Sequence, residues 1–298
     1  MLSFEDIDLK HASGYILHGE RMTVYASDYS FPILWGWGGD YGYQVAIENG
    51  EELIWIRQTV PEAYNLAPVG NWERDDWARL IRERYGEKCE FWLVPERLLE
   101  IWQKQMGSAI NETESDRGNW EYIYNIHDLA TLAGNRYMKK RNRVNQFRRT
   151  YDYSYKPITC AIIPDVQDFH DAWCEANGCA STPALQRESH GIRRILGHWG
   201  EIPNLRGGVI EAGGAIVAYT IGELAGKHLL VHFEKASYEY NSAYQVINKE
   251  FLVHMLEQEP WLVTVNREED MNDPGLREAK MSYLPTNFIK KYRVKISF

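Results

Sequence analysis

The sequence predicts an α+β protein of two similarly ordered halves, each a mixed or antiparallel central sheet flanked by helices, joined by a basic helix. Three observations carry that expectation. Strand-like and helix-like patterns are interleaved throughout rather than segregated. Both halves follow one order: antiparallel strands, a helix, a strand, a proline-opened helix, a strand. Between them, Leu129 to Tyr151 contains no acidic residue but holds Arg136, Lys139, Lys140, Arg141, Arg143, Arg148 and Arg149. This stretch is +7 in a chain of net charge −9, so the remainder sums to −16. The implied limits are an N-terminal domain at 1–125, a linking helix at 126–150 and a C-terminal domain at 151–298.

In the first half, Met22 to Ala26, Ile33 to Trp37 and Tyr43 to Ile47 read as aromatic-rich strands. Glu48-Asn49-Gly50 signals a hairpin turn into Glu52 to Gln58. Asn71 is placed to cap a helix reaching Tyr85 and stopped by Gly86, with Trp72, Trp77, Leu80 and Ile81 at helical spacing. Glu90 to Val94 is a strand. Pro95 opens a helix that ends at Gly107. Ser108 to Gly118 reads as a polar loop, and Trp120 to Tyr124 as a strand.

In the basic segment Tyr137, Val144 and Tyr151 recur at sevens, which makes it a helix. Arg136, Lys139, Lys140 and Arg143 then share one face. Like charges so placed repel by a few tenths of a kcal/mol per pair unless neutralised. Read alone, they either answer acids of the two domains or meet the phosphates of a polyanion.

The second half opens with an extended piece within Tyr153 to Ile163, then helices over Asp165 to Ala176 and Thr182 to Trp199. Gly208 to Glu211, Ala215 to Glu223 and His228 to Lys235 form an antiparallel meander with turns at Gly213-Gly214 and Ala225-Gly226-Lys227. A helix over Tyr240 to Leu256, a strand over Trp261 to Asn266 and a helix from Asp273-Pro274 to Tyr283 follow. Lys291 to Phe298 alternates, with Tyr292, Val294, Ile296 and Phe298 on one side.

Composition removes several function classes. No 18-residue apolar run exists and the acidic N-terminus is no signal peptide, so a cytoplasmic protein is expected. Cys89, Cys160, Cys174 and Cys179 show no C-x-x-C pair and read as reduced thiols. No histidine stands at metal-ligand spacing from a carboxylate, so no metal site is expected.

Two segments carry a resemblance. One is HDLATLAGNRYMKKRNRVNQF, His127 to Phe147; the other is VNREEDMNDPGLREAKMSYLPTNFIKKYRV, Val265 to Val294. The pattern N-R-E-x-D, then G-L-R-x-A-K-x-S-Y-x-P, then K-Y resembles the C-terminal catalytic domain of phosphatidylglycerol lysyltransferases and soluble proteins related to it. The meander, helix, strand, helix, strand order likewise resembles the GNAT acyltransferase fold. The resemblance implies two tandem GNAT-like domains with the active region between them. It further implies transfer of an aminoacyl group from aminoacyl-tRNA to a lipid headgroup or, as in the related peptidoglycan-bridge enzymes, to an amine. These 298 residues hold no counterpart of the membrane-spanning half of the full-length lipid enzymes, so a protein without it is expected and the acceptor is left open.

An aminoacyl ester is already activated, so its transfer needs orientation, an oxyanion donor and a base, but no cofactor. Glu234, ending the central strand, is a candidate base. The motif match assigns Asp270 to the substrate's α-amino group, and Arg277 and Lys280, three apart on one helix, to an anion or carbonyl. Glu268 and Glu269 read as solvated. Tyr283 either orients a neighbour or packs. Lys290 and Lys291 extend a positive face with the basic helix, where Arg136, Lys139, Lys140 and Arg143 contact the tRNA donor's phosphates. Two alternatives stay open. One is an acyl-CoA-dependent N-acyltransferase, although Lys235 to Ser242 contains no glycine to cradle a diphosphate. The other is a non-catalytic binding protein on the same scaffold.

Overall fold

The computed structural model describes residues 2–47 and 52–298; the turn expected at Glu48-Asn49-Gly50 lies outside them. The chain divides into two compact units that are not consecutive halves. The first comprises Met1–Glu121, Glu269–Glu278 and Phe288–Phe298; the second comprises Tyr122–Glu268 and Ala279–Asn287.

The first unit's sheet runs in the order Glu5–Asp6, Gln44–Ile47, Leu53–Gln58, Tyr64–Leu66, Lys88–Pro95, Lys291–Ser297, Ile110–Glu114. Its core is aromatic. Trp77 stands edge-on to Trp55 at 6.3 Å and to Trp102 at 5.6 Å, and Phe91 closes on Trp102 at 5.0 Å. Helices Trp77–Tyr85 and Glu96–Met106 bury Leu80, Ile81, Leu98, Leu99 and Trp102. The apolar spacing read from the sequence therefore faces the core.

Several expectations are corrected here. Ile33 to Trp37 is not extended: Phe31–Gly36 is a helix, opened by Pro32 in its first turn after Ser30 at ψ 133. Met22 to Ala26 forms no strand. Asn71 caps a turn, its side chain accepting from the Glu73 N–H at 3.0 Å, and the helix starts only at Trp77. The polar loop contains an edge strand, Ile110–Glu114. The terminal strand belongs to the first unit, because Lys291–Ser297 pairs antiparallel with Lys88–Pro95 and with Ile110–Glu114. A domain at 151–298 does not contain it.

The second sheet runs Asn287–Ile289, Glu121–Asn125, Thr264–Asn266, His228–Ala236, Ala215–Ala225, Leu205–Ala212, Tyr153–Pro157. The meander is antiparallel, as its glycine turns require, while His228–Ala236 and Thr264–Asn266 run parallel. Helices Ile163–Asn177, Pro183–Gly197 and Ala243–Gln258 flank it. The basic helix, Met138–Thr150, belongs to the second unit and buries Val144 and Phe147, the latter against Tyr151 and Tyr153. The reduced thiols are a further correction: Cys174 and Cys179 form a disulfide across the end of one helix and the following turn. No helix among the described residues is long and apolar enough to cross a membrane.

Candidate active site

In the second unit, His228–Ala236 and Thr264–Asn266 pair only from His228–Thr264 to Leu230–Asn266. The longer strand continues to Ala236. The segment after Asn266 turns instead to the neighbouring strand, where Arg267 N–H donates to Tyr122 O at 3.0 Å and Tyr122 N–H donates to Glu268 O at 3.1 Å. The parallel ladder therefore opens into a fork. Parallel sheets place functional groups at such carboxyl ends.

Glu234 occupies that fork. Its carboxylate accepts from Arg267 Nη2 at 3.1 Å and from Asn248 Nδ2 at 3.2 Å, and 12% of its side chain is exposed. Burial raises its carboxyl above the usual range, against the pull of Arg267, Asn248 and Lys280. The Arg267 guanidinium lies over the Tyr283 ring at 4.9 Å, and the Lys140 ammonium approaches the same ring at 4.1 Å. Burial pushes the Tyr283 phenol up to about 12. Lys280 Nζ donates to Arg267 O at 2.6 Å, and Tyr124 OH donates to Lys280 O at 2.9 Å.

Beside Glu234 on the same strand, the His232 ring is fully buried between two carboxylates. Nδ1 meets Glu268 Oε1 at 2.8 Å and Nε2 meets Glu223 Oε2 at 3.4 Å. Burial alone would lower its pKa; the hydrogen bonds to Glu223 and Glu268 and their charges override it and raise the value to about 9. Sequence reading missed His232, Arg267 and Asn248 and took Glu268 as solvated. Glu268 and His232 meet through a side-chain contact just past the last paired residues of the parallel strands, a proximity that local spacing does not reveal. The detectable signal was the buried-strand context of His232.

In the first unit, Asp270 is fully buried. Arg277 donates to it through Nε (2.9 Å) and Nη2 (2.8 Å), Arg117 through Nη1 (3.4 Å), and the Asn272 N–H at 2.9 Å. The sequence reading gave Asp270 to a substrate's α-amino group and Arg277 to an anion or carbonyl. These contacts instead tie both to each other. The surrounding backbone is left-handed at Glu268, Met271 and Asn272, with φ of 57°, 50° and 59°. Such conformations persist where neighbouring contacts hold them.

Lys291 departs from the expected positive face. Its side chain is buried among Asp28, Glu121 at 2.9 Å and Glu269 at 3.8 Å, and Ser27 donates its N–H and Oγ to Glu121. Burial, joined by the neighbouring carboxylates, raises the Asp28 carboxyl to about 8 against Lys291. Lys290 pairs with Glu96 at 2.9 Å.

The basic helix is mixed. Arg136 pairs with Asp128 at 2.6 Å and Arg148 with Glu250 at 2.7 Å; Arg141 donates to the Leu132 and Gly134 carbonyls. Lys139, Arg143 and Arg149 are exposed, Arg143 reaching Asn241 Oδ1 at 3.4 Å. Among the described residues, no cluster of three or more His, Cys, Asp or Glu side chains could hold a metal ion.

Two mixed sheets flanked by helices, one with a forked parallel pair beside a meander, define a tandem GNAT-like fold. The family model for the C-terminal region of phosphatidylglycerol lysyltransferase matches residues 20–295, and the chain belongs to that family. A conserved protein of unknown function from Bacteroides thetaiotaomicron superposes with a TM-score of 0.91 at 29% identity, over all of both chains. L-PGS from Bacillus licheniformis gives 0.64 at 14% identity, covering 97% of this chain and 92% of that one. FemX gives 0.59 at 8% identity, covering 100% and 98%. An uncharacterized protein of Mycoplasmoides gallisepticum is 23% identical over 183 residues, and the match spans 56% of that relative's length.

Proposed function

We propose that the protein is an aminoacyltransferase that moves an aminoacyl group from aminoacyl-tRNA to a hydroxyl or amine acceptor. One observation carries this reading: the fork of the second unit gathers Glu234, Arg267, Lys280 and Tyr283, three of them in the family's motif segment, around a buried carboxylate. In the proposed reaction the acceptor's hydroxyl or amine attacks the ester carbonyl. Its proton passes to Glu234, whose raised pKa suits a base. Arg267 and Lys280 counter the charge that develops on the carbonyl oxygen. The ester C–O bond breaks and the proton leaves with the ribose hydroxyl. The donor is an activated ester, so this reading requires no cofactor.

Lys139, Arg143 and Arg149 are proposed to meet tRNA phosphates. The donor would place the reaction in the cytoplasm, and a lipid headgroup acceptor would bring it to the membrane surface. An acyl-CoA donor is disfavoured by the loop before helix Ala243–Gln258. Tyr240 N–H is spent on Ser237 O and Ala243 N–H on Tyr240 O, and Glu239 adds a carboxylate. A diphosphate needs such N–H groups open.

The test is discharge of a panel of charged tRNAs with anionic lipid vesicles and small amines as acceptors. Loss of the ester with appearance of an aminoacylated product supports the reading, and Glu234→Gln should slow it by about 10²- to 10⁴-fold. No discharge, together with thermal stabilisation by acetyl-CoA, would overturn it.

A further inference from the structure

Every aminoacyl donor carries one group that an ordinary acyl donor lacks, an α-ammonium. A carboxylate must meet it when it leaves water. Asp270 is occupied by Arg277 and Arg117. The geometry points to a different residue: we propose that Glu268, clamped by His232 at the fork of the second unit, is the binding site for the α-ammonium of the aminoacyl group. This rests on the transferase reading above and names the part of the donor that its site selects.

Four observations support it. Glu268 follows the last paired residues of the parallel strands, where the ladder opens. Its backbone is left-handed at φ 57° and is pinned on both sides. Its N–H donates to Asn266 Oδ1 at 2.9 Å, and its carbonyl accepts from Tyr122 N–H at 3.1 Å. A non-glycine residue stays in this sparsely populated conformation where the surrounding contacts over-determine it. Its carboxylate is set by His232 Nδ1 at 2.8 Å, yet 22% of the side chain stays exposed, against none for His232 and 8% for Glu223. Charge gives the fourth: two carboxylates, Glu268 and Glu223, share one imidazole ring, and the more exposed of them is the one an ammonium can approach. His232 itself is a positioning residue: it lies at the β-bulge where Ile221 pairs with Phe233 and Gly222 with Val231, and that irregularity turns its ring toward Glu268.

The probes are alaninamide and lysinamide, each compared with its Nα-acetyl derivative, with binding followed by NMR. The wild-type protein should bind the free amides and not the acetylated ones. Glu268→Gln should lose at least about tenfold in affinity, and the double variant with His232→Gln should be no weaker than Glu268→Gln alone. A single cooperative unfolding transition of Glu268→Gln above the assay temperature, even at the lowered midpoint that losing the His232 contact entails, excludes a folding failure. Wild-type binding of the acetylated amides, Glu268→Gln binding like the wild type, or additive losses in the double variant would each overturn the proposal. Discharge of aminoacyl-tRNA against N-acetylaminoacyl-tRNA separates the two readings. If the protein binds the amides but discharges neither tRNA, the transferase reading fails and the site stands. If it discharges both equally, the site fails and the reading stands.

Discussion

Arg277 grips Asp270 with two nitrogens, Nε to Oδ2 at 2.9 Å and Nη2 to Oδ1 at 2.8 Å, and the carboxylate they hold has no solvent exposure. The pair spans a tight turn, since Arg277 N–H also donates to Asp273 O and Asp273 N–H to Asp270 O. Arg277 further reaches Asn272 Oδ1 at 2.9 Å, and Asn272 Nδ2 reaches Asp116. One guanidinium thus orders the segment that follows the fork.

Replacing Arg277 by Ala leaves a buried carboxylate facing Arg117 at 3.4 Å and one N–H. The expected loss is about 1.5–3 kcal/mol for a charged hydrogen-bonding group. Urea unfolding measures it. Arg277→Lys should recover little, because an ammonium cannot reproduce two parallel contacts. Full recovery by lysine would show that charge alone suffices.

His232 gives stability a defined pH dependence. Its folded pKa is about 9, above its ordinary 6.5, because Glu223 and Glu268 outweigh the burial that opposes them. The contribution is therefore fully present below about pH 6.5 and is lost as pH rises through about 9. A displacement of that size is worth on the order of 3 kcal/mol. The urea midpoint of the wild type should fall between pH 7 and 10. The His232→Gln variant should start lower and stay flatter over that interval.

The disulfide Cys174–Cys179 closes a short loop, so its entropic effect on the unfolded chain is modest, about 2 kcal/mol. His170 stands beside it, with Nε2 at 3.7 Å from Cys174 Sγ and bonded to Ser189 Oγ at 2.9 Å. Reduction, or the double change Cys174→Ser and Cys179→Ser, should lower the unfolding free energy by that amount. The fork should be undisturbed, and binding of alaninamide checks it.

The class of fold was legible because burial follows local period. The meander, the helix Ala243–Gln258 and the helices Trp77–Tyr85 and Glu96–Met106 each bury the residues their spacing marks. The misses have equally physical causes. Phe31–Gly36 is apolar on every side, so period could not separate helix from strand, and Pro32 was the better guide. Ile110–Glu114 is polar because it lies at a sheet edge, where Glu112 and Glu114 meet Lys295 and Arg293. The site was legible only in part. Glu234 and Lys280 do lie in the fork, but His232 and Glu268 meet just past the last paired residues of two parallel strands distant in sequence.

Lys291 shows how one irregularity reverses a reading. Strict alternation puts it on the polar side of its strand, opposite Tyr292, Val294 and Ile296. A register shift between Tyr292 and Val294 interrupts that alternation, and Lys291, Val294 and Ile296 are the buried residues. The lysine then enters a core that holds Asp28, Glu121 and Glu269, and its charge is what makes three carboxylates tolerable there. Replacing it by Met keeps much of the volume and removes the ammonium that contacts the fully buried Glu121. The loss should be about 3–5 kcal/mol, the cost of stranding a buried charge. Adding Glu121→Gln should return part of it, since the removed carboxylate no longer needs a partner. Chemical denaturation of the single and double variants decides the matter: a double variant less stable than Lys291→Met would show that Glu121 is held chiefly by the Ser27 N–H and hydroxyl.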